Sequence, residues 1–442
     1  MRHHRKAHPI SRLAAITAVI LLLAGCAGGA GTLPSTSTNP TTPAATLRFV
    51  LLVSRHGVRA PLGTNARIAE FAAQTWPTWS VQAGFLTPHG GDAAQLMGAY
   101  YASFYRRMGL LSADCPVQKA YLYTDSDQRT IVTGERIAQG MNTSCAPVVN
   151  HLPQGQRDSL IHTLGPNPPF LKANTAQSLA ALQAAVPNPA QLLVTQAPAF
   201  AQLATLLACP SSSAPSCTPV TSLPFREVTE ADTGLARLDG PLAVGKNLAE
   251  IFVLEYADGM DAPAWGRATP QSIDSAMPLY VANYVTQVRP SYLARAQASD
   301  LLWHISLTLA QFTDGQQRLT AAYAPPASSK FVLIVAHDTN LSALAGILNL
   351  HWNFGNDYQP DDTPPGGSLA FEIYQAPSAP PTISLYYQAQ TLDEMRNLTP
   401  LTAQTPPLRV PVTIQGCADP CALATFQSLI AAQVDQNFVI HD

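Results

Sequence analysis

Three strand-length apolar runs in this chain each stop abruptly at a cluster of polar and charged residues. This recurrence restricts the possible folds more than any other feature. In "LRFVLLVSRHGVRAP" the run from Leu47 to Val53 gives way to Arg55, His56 and Arg59. In "KAYLYTDSDQRT" the break comes at Asp127, Gln128, Arg129 and Thr130, and in "KFVLIVAHDTN" at His337, Asp338, Thr339 and Asn340. Runs of this kind read as buried strands. Between them the spacing is helical: Leu96, Tyr100, Phe104 and Met108 recur every four residues, "QRTIVTGERIAQGM" follows the second strand, and Leu301, Leu302, Ile305, Leu309 and Phe312 share one side of "DLLWHISLTLAQF". Strands alternating with helices predict a three-layer α/β domain with a mostly parallel sheet. "SLAFEIYQ" and "TISLYYQ" alternate across a Pro-rich turn and are expected to pair antiparallel.

In open α/β sheets ligands sit beyond the carboxyl ends of the strands. If the three strands are parallel neighbours, their polar ends converge there and pool Arg55, Arg59 and Arg129 with His56, His337, Asp127 and Asp338. Such charge is costly to bury unless it is paired. An arginine fork donates two hydrogen bonds at once to an oxyanion, so converging arginines point to phosphate. They neutralise charge that would otherwise oppose attack on phosphorus. Their field disfavours imidazolium, which keeps His56 a neutral nucleophile in acid. Asp338 is placed to protonate a departing alkoxide. Taken singly, each residue has a plainer reading: His56 as a turn residue, Asp127 and Arg129 as a surface ion pair, Asp338 as a helix cap. Their joint position at three strand ends favours the chemistry.

Composition sets the outer bounds. The chain has 442 residues, 47% of them apolar and 12% charged, with a net charge of −3. That supports a large core and lacks the basic surplus of a nucleic-acid binder, so no nucleic-acid partner is expected. The N-terminus reads as targeting sequence: a basic "MRHHRKAHPISR", then "LAAITAVILLLAG", too short to span a bilayer comfortably. "LAGC" (Leu23 to Cys26) resembles a bacterial lipobox, with cleavage leaving Cys26 as a lipidated N-terminus; an ordinary secretory signal is the alternative. We expect a signal peptide over 1–25, a lipidated N-terminus and flexible linker over 26–46, an α/β catalytic domain over 47–150 and 271–442, and a mainly helical insertion over 151–270. The protein is expected to be exported, periplasmic or at the cell surface, monomeric, and in contact with the membrane through its lipid anchor only. Cys115, Cys145, Cys209, Cys217, Cys417 and Cys421 remain, an even number that implies disulfides in an exported chain. Proximity favours Cys115–Cys145, Cys209–Cys217 and Cys417–Cys421. No Cys/His cluster has zinc spacing, and neither metal nor cofactor is expected.

Beyond these derivations, the chain resembles the histidine acid phosphatases, branch 2 of the histidine phosphatase superfamily. "RHGVRAP" and "HDTN" match that family's two signatures. "WPTW", "LTPHGG", "DSDQRTIVTGE", "AEIF", "GMDAPAWGR" and "DTPPGGSLAFE" resemble its bacterial periplasmic phytases and glucose-1-phosphatases, so the likeness runs from Leu47 nearly to the C-terminus. The resemblance implies a phosphoglycerate-mutase-like α/β domain with a helical insertion. It makes His56 the nucleophile that forms a phosphohistidine, and Arg55, Arg59, Arg129 and His337 the phosphate ligands. Asp338 becomes the proton donor and Glu250 a pocket residue. Thr339 and Asn340 are expected to shape a turn, Gly57 to permit close approach to the ligand, and "TPPGG" to form a rigid double turn. The cysteine placement resembles three of the group's disulfides. One departure bears on substrate. After "RHGVRAP" the bacterial phytases of this kind resemble one another in carrying a threonine and a lysine; here Leu62 and Gly63 stand there, and the leucine resembles the glucose-1-phosphatase side. The expected function is a metal-independent acid phosphatase of small phosphomonoesters, phytase-like in acting on inositol hexakisphosphate. The alternatives are a glucose-1-phosphatase-like sugar phosphatase and an inactive lipoprotein that binds phosphorylated ligands.

Overall fold

Side-chain alternation in two central strands, one buried throughout and the other from Phe49 onward, sets the layering. The structure is a computed structural model that describes residues 45–440 apart from positions 64, 113–114, 116–118, 143, 163, 165–174, 210–216, 232 and 356. The expected signal peptide, Cys26 and nearly all of the linker lie outside the described residues. The main sheet contains β1 (Thr46–Arg55), β2 (Ala120–Thr124), β3 (Val149–Asn150), β6 (Phe331–Ala336), β7 (Ser368–Gln375), β8 (Thr382–Ala389), β9 (Leu408–Val412) and β10 (Cys421–Ala422), while β4 (Arg226–Thr229) and β5 (Ala236–Asp239) form a separate hairpin. The order is β10-β8-β7-β1-β6-β2-β3, with β9 also on β8. Strands β1, β6, β2 and β3 run parallel. From β7 outward the pairing is antiparallel, including the expected β7–β8 pair.

Val50 and Leu52 of β1, with Phe331, Leu333 and Val335 of β6, face one layer. Phe49, Leu51 and Val53, with Val332, Ile334 and Ala336, face the other. The first face is covered by α1 (Pro88–Arg107) and α2 (Gln128–Met141). Between β3 and β6 the chain is mainly helical, with α3 (Thr175–Ala185), α4 (Ala197–Leu207), α5 (Pro241–Ala257) and α6 (Pro278–Gln287) interrupted by the β4–β5 hairpin. The second face is covered by α7 (Ser291–Asp314), α8 (Asp338–Leu348) and α9 (Leu423–Gln433). Each fully buried Val, Leu, Ile or Phe side chain contributes about 1.5–3 kcal/mol, so the two central strands anchor both layers.

The inward stripe of α1 is not the one the four-residue spacing marked out. Tyr100 is buried, but Leu96 and Phe104 are half-buried and Met108 is exposed, while Met97, Tyr101 and Tyr105 go deepest. The reason is close approach to α2. An added Cβ at Gly98 would lie 2.1 Å from Ile137 O, and one at Gly140 1.9 Å from Gln95 O. This contact rolls the helix about its axis relative to its most apolar stripe. The expected disulfides Cys115–Cys145, Cys209–Cys217 and Cys417–Cys421 are formed, with Cα separations of 6.2, 6.0 and 5.3 Å.

Candidate active site

Register alone brings the polar strand ends together. Arg55 lies opposite Ala336, and Thr124 opposite Val335, so the residues after β1, β2 and β6 emerge on one edge of the sheet. Helices α2 and α8 begin at that edge, where their amino-terminal dipoles favour negative charge. A cavity of about 350 Å³ opens there, lined by His56, Arg59, Arg129, His337 and Asp338 among others. Arg55 and Glu250 stand behind it, 1% and 5% exposed. A larger cavity of about 530 Å³ beside α4 is mainly apolar, lined by residues such as Phe200, Leu203 and Leu207, with no charged side chain among the described residues that line it.

The cradle is a lattice of charge-assisted bonds. Arg55 Nη1 donates to Tyr280 Oη at 3.0 Å and to Thr363 O at 2.6 Å. Its Nη2 pairs with Glu250 Oε1 and lies 3.2 Å from Asp338 Oδ2. Arg59 Nη2 shares the same Glu250 oxygen at 3.2 Å, and Lys246 Nζ lies 4.0 Å from the other. Burial pushes the Glu250 carboxyl upward, but Arg59, Lys246 and Arg55 together outweigh it and keep the group ionised. Arg129 Nη2 is 2.5 Å from Asp127 Oδ2, the ion pair anticipated above, and 3.4 Å from His337 Nδ1.

The two histidines are held differently. His56 Nδ1 lies 2.9 Å from Gly57 O. A carbonyl accepts, so Nδ1 carries the proton and Nε2 is the lone-pair nitrogen. Burial, then Arg59, Arg55, Arg129 and His337, holds this imidazole well below the usual histidine range and hence neutral. His337 Nε2 donates to Asp125 Oδ2 at 2.7 Å, and His162 Nε2 donates to the same oxygen at 3.0 Å. Burial raises the Asp125 pKa, but these two imidazole bonds overcome it and hold the carboxylate well below the usual range. Asp338 accepts from Tyr280 Oη at 2.9 Å and from Thr339 N at 2.9 Å. Burial favours its protonated form, yet the cations Arg55, Lys246 and Arg59 keep it well below the ordinary aspartate value.

Every residue that the sequence offered as a catalytic or binding candidate is thus at this one edge, Glu250 included. Asn340 shapes the turn as expected, its Oδ1 accepting from His337 N at 3.1 Å and its Nδ2 donating to Ile161 O at 2.8 Å. Gly57 is tightly packed: a Cβ there would press on Gly90 O and Leu86 Cδ1, both at 3.2 Å. The "TPPGG" turn clamps the end of β1, since Gly366 N donates to His56 O and Arg55 N donates to Gly367 O, both at 2.9 Å. Sequence reasoning missed Tyr280, Lys246, Asp125 and His162. Asp125 and Lys246 left signals, the first at a strand end and the second four residues before Glu250 on one helix face. Tyr280 and His162 left none. Asp125, Asp127, His162 and His337 have donor atoms within 4.8 Å of one another, the geometry of a possible metal group. The Arg129 guanidinium already supplies positive charge among them.

A family model described as the histidine phosphatase superfamily (branch 2) matches residues 46–388. Phytase AppA of Escherichia coli (strain K12) is 34% identical over 415 residues, covering 88% of this chain and 92% of the relative. A Salmonella typhimurium glucose-1-phosphatase is 29% identical, covering 90% and 94%. Among solved structures, Hafnia alvei phytase in complex with tartrate is similar with a TM-score of 0.80 at 31% identity, covering 91% of this chain and 100% of that one.

Tyr280 bridges Arg55 and Asp338, so Tyr280→Phe leaves two buried charged groups each short of a partner. The expected loss of stability in urea unfolding is about 1–3 kcal/mol; an unchanged midpoint would show that the hydroxyl is not what holds the pair.

Proposed function

The chain belongs to branch 2 of the histidine phosphatase superfamily, and we propose that it is an acid phosphatase acting through a phosphohistidine, with inositol hexakisphosphate as its principal substrate. The observation that carries the reading is a neutral imidazole, His56, set among Arg55, Arg59 and Arg129. A carboxyl group, Asp338, rests on the same Arg55 at 3.2 Å. In this scheme the arginines and His337 bind the phosphate oxygens. His56 Nε2 forms a bond to phosphorus as the ester P–O bond breaks, and Asp338 passes its proton to the leaving oxygen. Water then attacks the phosphohistidine and returns a proton to Asp338, releasing inorganic phosphate and the free imidazole.

The acid requirement follows from Asp338. In the free site the neighbouring cations hold it ionised. A bound phosphate offsets those cations and raises its pKa. Turnover is therefore expected to fall as pH rises through the value Asp338 takes in the substrate complex, giving an acidic optimum. Charge stabilisation comes from guanidinium groups, so the reading takes the enzyme as metal-independent.

Phytate as substrate is supported by the phytases among the similar proteins. A second reading, a sugar phosphatase, is favoured by Leu62, which lines the cavity mouth and is 63% exposed. We also take the chain to be exported and lipid-anchored through Cys26, on the strength of the leader, the "LAGC" motif and the disulfides. Among the described residues no helix is long and apolar enough to cross a membrane.

Rates on phytate, glucose 1-phosphate and p-nitrophenyl phosphate at acidic pH decide between the substrates; a clear preference for glucose 1-phosphate overturns the phytase reading. His56→Ala is expected to abolish turnover on all three, and acid-quenched wild type should yield base-stable phosphohistidine; phosphate on serine or aspartate would refute the mechanism. Asp338→Asn should slow phytate far more than p-nitrophenyl phosphate, whose leaving group needs little protonation, whereas equal losses would make Asp338 a phosphate-positioning group. Chelator should leave the rate unchanged, and loss in EDTA restored by added metal would sink the arginine-only scheme. Cys26→Ser should move the protein from the membrane fraction to the soluble one without changing its specific activity; a wild type already soluble would favour the ordinary secretory signal.

A further inference from the structure

Behind the phosphate cradle lies a carboxyl group that none of the chemistry above uses. Asp362, which opens "DTPPGG", is 1% exposed, and neither of its carboxylate oxygens has a hydrogen-bond partner. It lines a narrow cavity of about 10 Å³ together with Arg55 and Glu250. That is room for about one water molecule, too little to hydrate a carboxylate. A buried carboxyl without partners or hydration stays neutral, because ionisation would carry a large desolvation cost.

The surrounding groups do not relieve it. Arg55 faces it from β1, Glu250 from α5, Asp274 from the short helix Pro270–Asp274, and Asp357 and Tyr358 from the loop before β7. Tyr387 of β8 also feels its charge. The cation in this set, Arg55, is already committed to Tyr280, Thr363 O, Glu250 and Asp338. Burial raises the Asp362 pKa to about 7, with Asp274 and Glu250 adding to the rise and Arg55 and the Thr363 amide opposing it.

We propose that Asp362 is a positioning residue for phosphate binding: neutral, it leaves Arg55 directed at the substrate; ionised, it draws on Arg55 from behind and weakens the cradle as the pH approaches neutrality. The proposal rests on the reading of Arg55 as a phosphate ligand. It gives the site an upper pH limit set by a residue that never touches substrate. The same titration appears in stability. The folded state holds this proton more tightly than the unfolded chain, where the value is the usual 3.8, so stability is greatest below that value and falls as pH rises towards about 7.

The test is the affinity for inorganic phosphate, measured by calorimetry on the full chain from acid to mildly alkaline pH, beside thermal unfolding in the same buffers. Asp362→Asn keeps the shape of the neutral acid and cannot ionise. Wild type and variant are expected to bind phosphate alike in acid, and above neutrality the wild type should bind about tenfold more weakly than the variant. Its melting temperature should fall relative to the variant as the pH rises from about 3.8 towards about 7, and level off above that. Superimposed phosphate profiles overturn the proposal, even if the melting temperatures diverge. Should asparagine not be accommodated, Asp362→Ala must show the same weakened pH dependence, and a wild-type profile in that variant is equally fatal. A chain that binds phosphate in this way yet turns over no ester would refute the enzymatic reading and leave this one standing.

Discussion

Arg55 is an arginine without solvent at the end of a central strand, and much of the surrounding architecture exists to make that tolerable. Water cannot neutralise it, so protein groups must. Glu250 serves both Arg55 and Arg59 through one oxygen and faces Lys246 with the other. Breaking a buried pair of this kind costs about 3–5 kcal/mol. Helix α5 is consequently tied to the edge of the sheet by charge as well as by Leu248, Phe252 and the other apolar residues it buries. Tyr280 binds α6 to the same point. The helical segment between β3 and β6 is thus a supplier of counter-charge to the strand ends.

The parts of this arrangement that the sequence announces are those whose cause is local. Apolar runs that stop at Arg55, Asp127 and His337 give the strands, their direction and the edge where the site lies, since strand type and helix start are set within a few residues. The antiparallel β7–β8 pair is equally visible, because alternation and turn chemistry are local too. What is hidden is whatever depends on a helix's rotation or on a partner far along the chain. The stripe of Leu96, Tyr100, Phe104 and Met108 is the most apolar, but Gly98 and Gly140 decide how α1 meets α2. Tyr280 looks like one more aromatic on an apolar helix, and its hydroxyl gains meaning from Arg55, 225 residues away. Nothing in the composition of "HTLG" marks His162 as a second imidazole on the carboxylate that orients His337.

Carboxyl groups in this protein are pushed in opposite directions by one physical effect, burial, and sorted by their company. Asp125, Asp338 and Glu250 have cationic or imidazole partners and stay ionised into acid. Glu255 is buried with the Ala264 amide as its partner, at 2.8 Å, and is raised to about 7. A raised carboxyl stabilises the fold below the usual carboxylate range and loses that contribution as pH climbs towards its folded value. Lowered ones do the reverse, contributing above that range and failing in strong acid. Together they place the most favourable range for the fold between strong acid and neutrality.

The two halves of the cavity come from different kinds of structure. Its floor is the ends of β1, β2 and β6, where a one-residue slip would turn every side chain to the wrong face. Its rim includes Ile161 and Leu164 from the chain after β3, and Glu230, Thr233 and Leu235 around the tip of the β4–β5 hairpin. Hairpin tips tolerate insertion and drift far better than buried strands do. A lineage can therefore exchange one ester for another by editing a few rim positions, while the reaction itself is inherited unchanged.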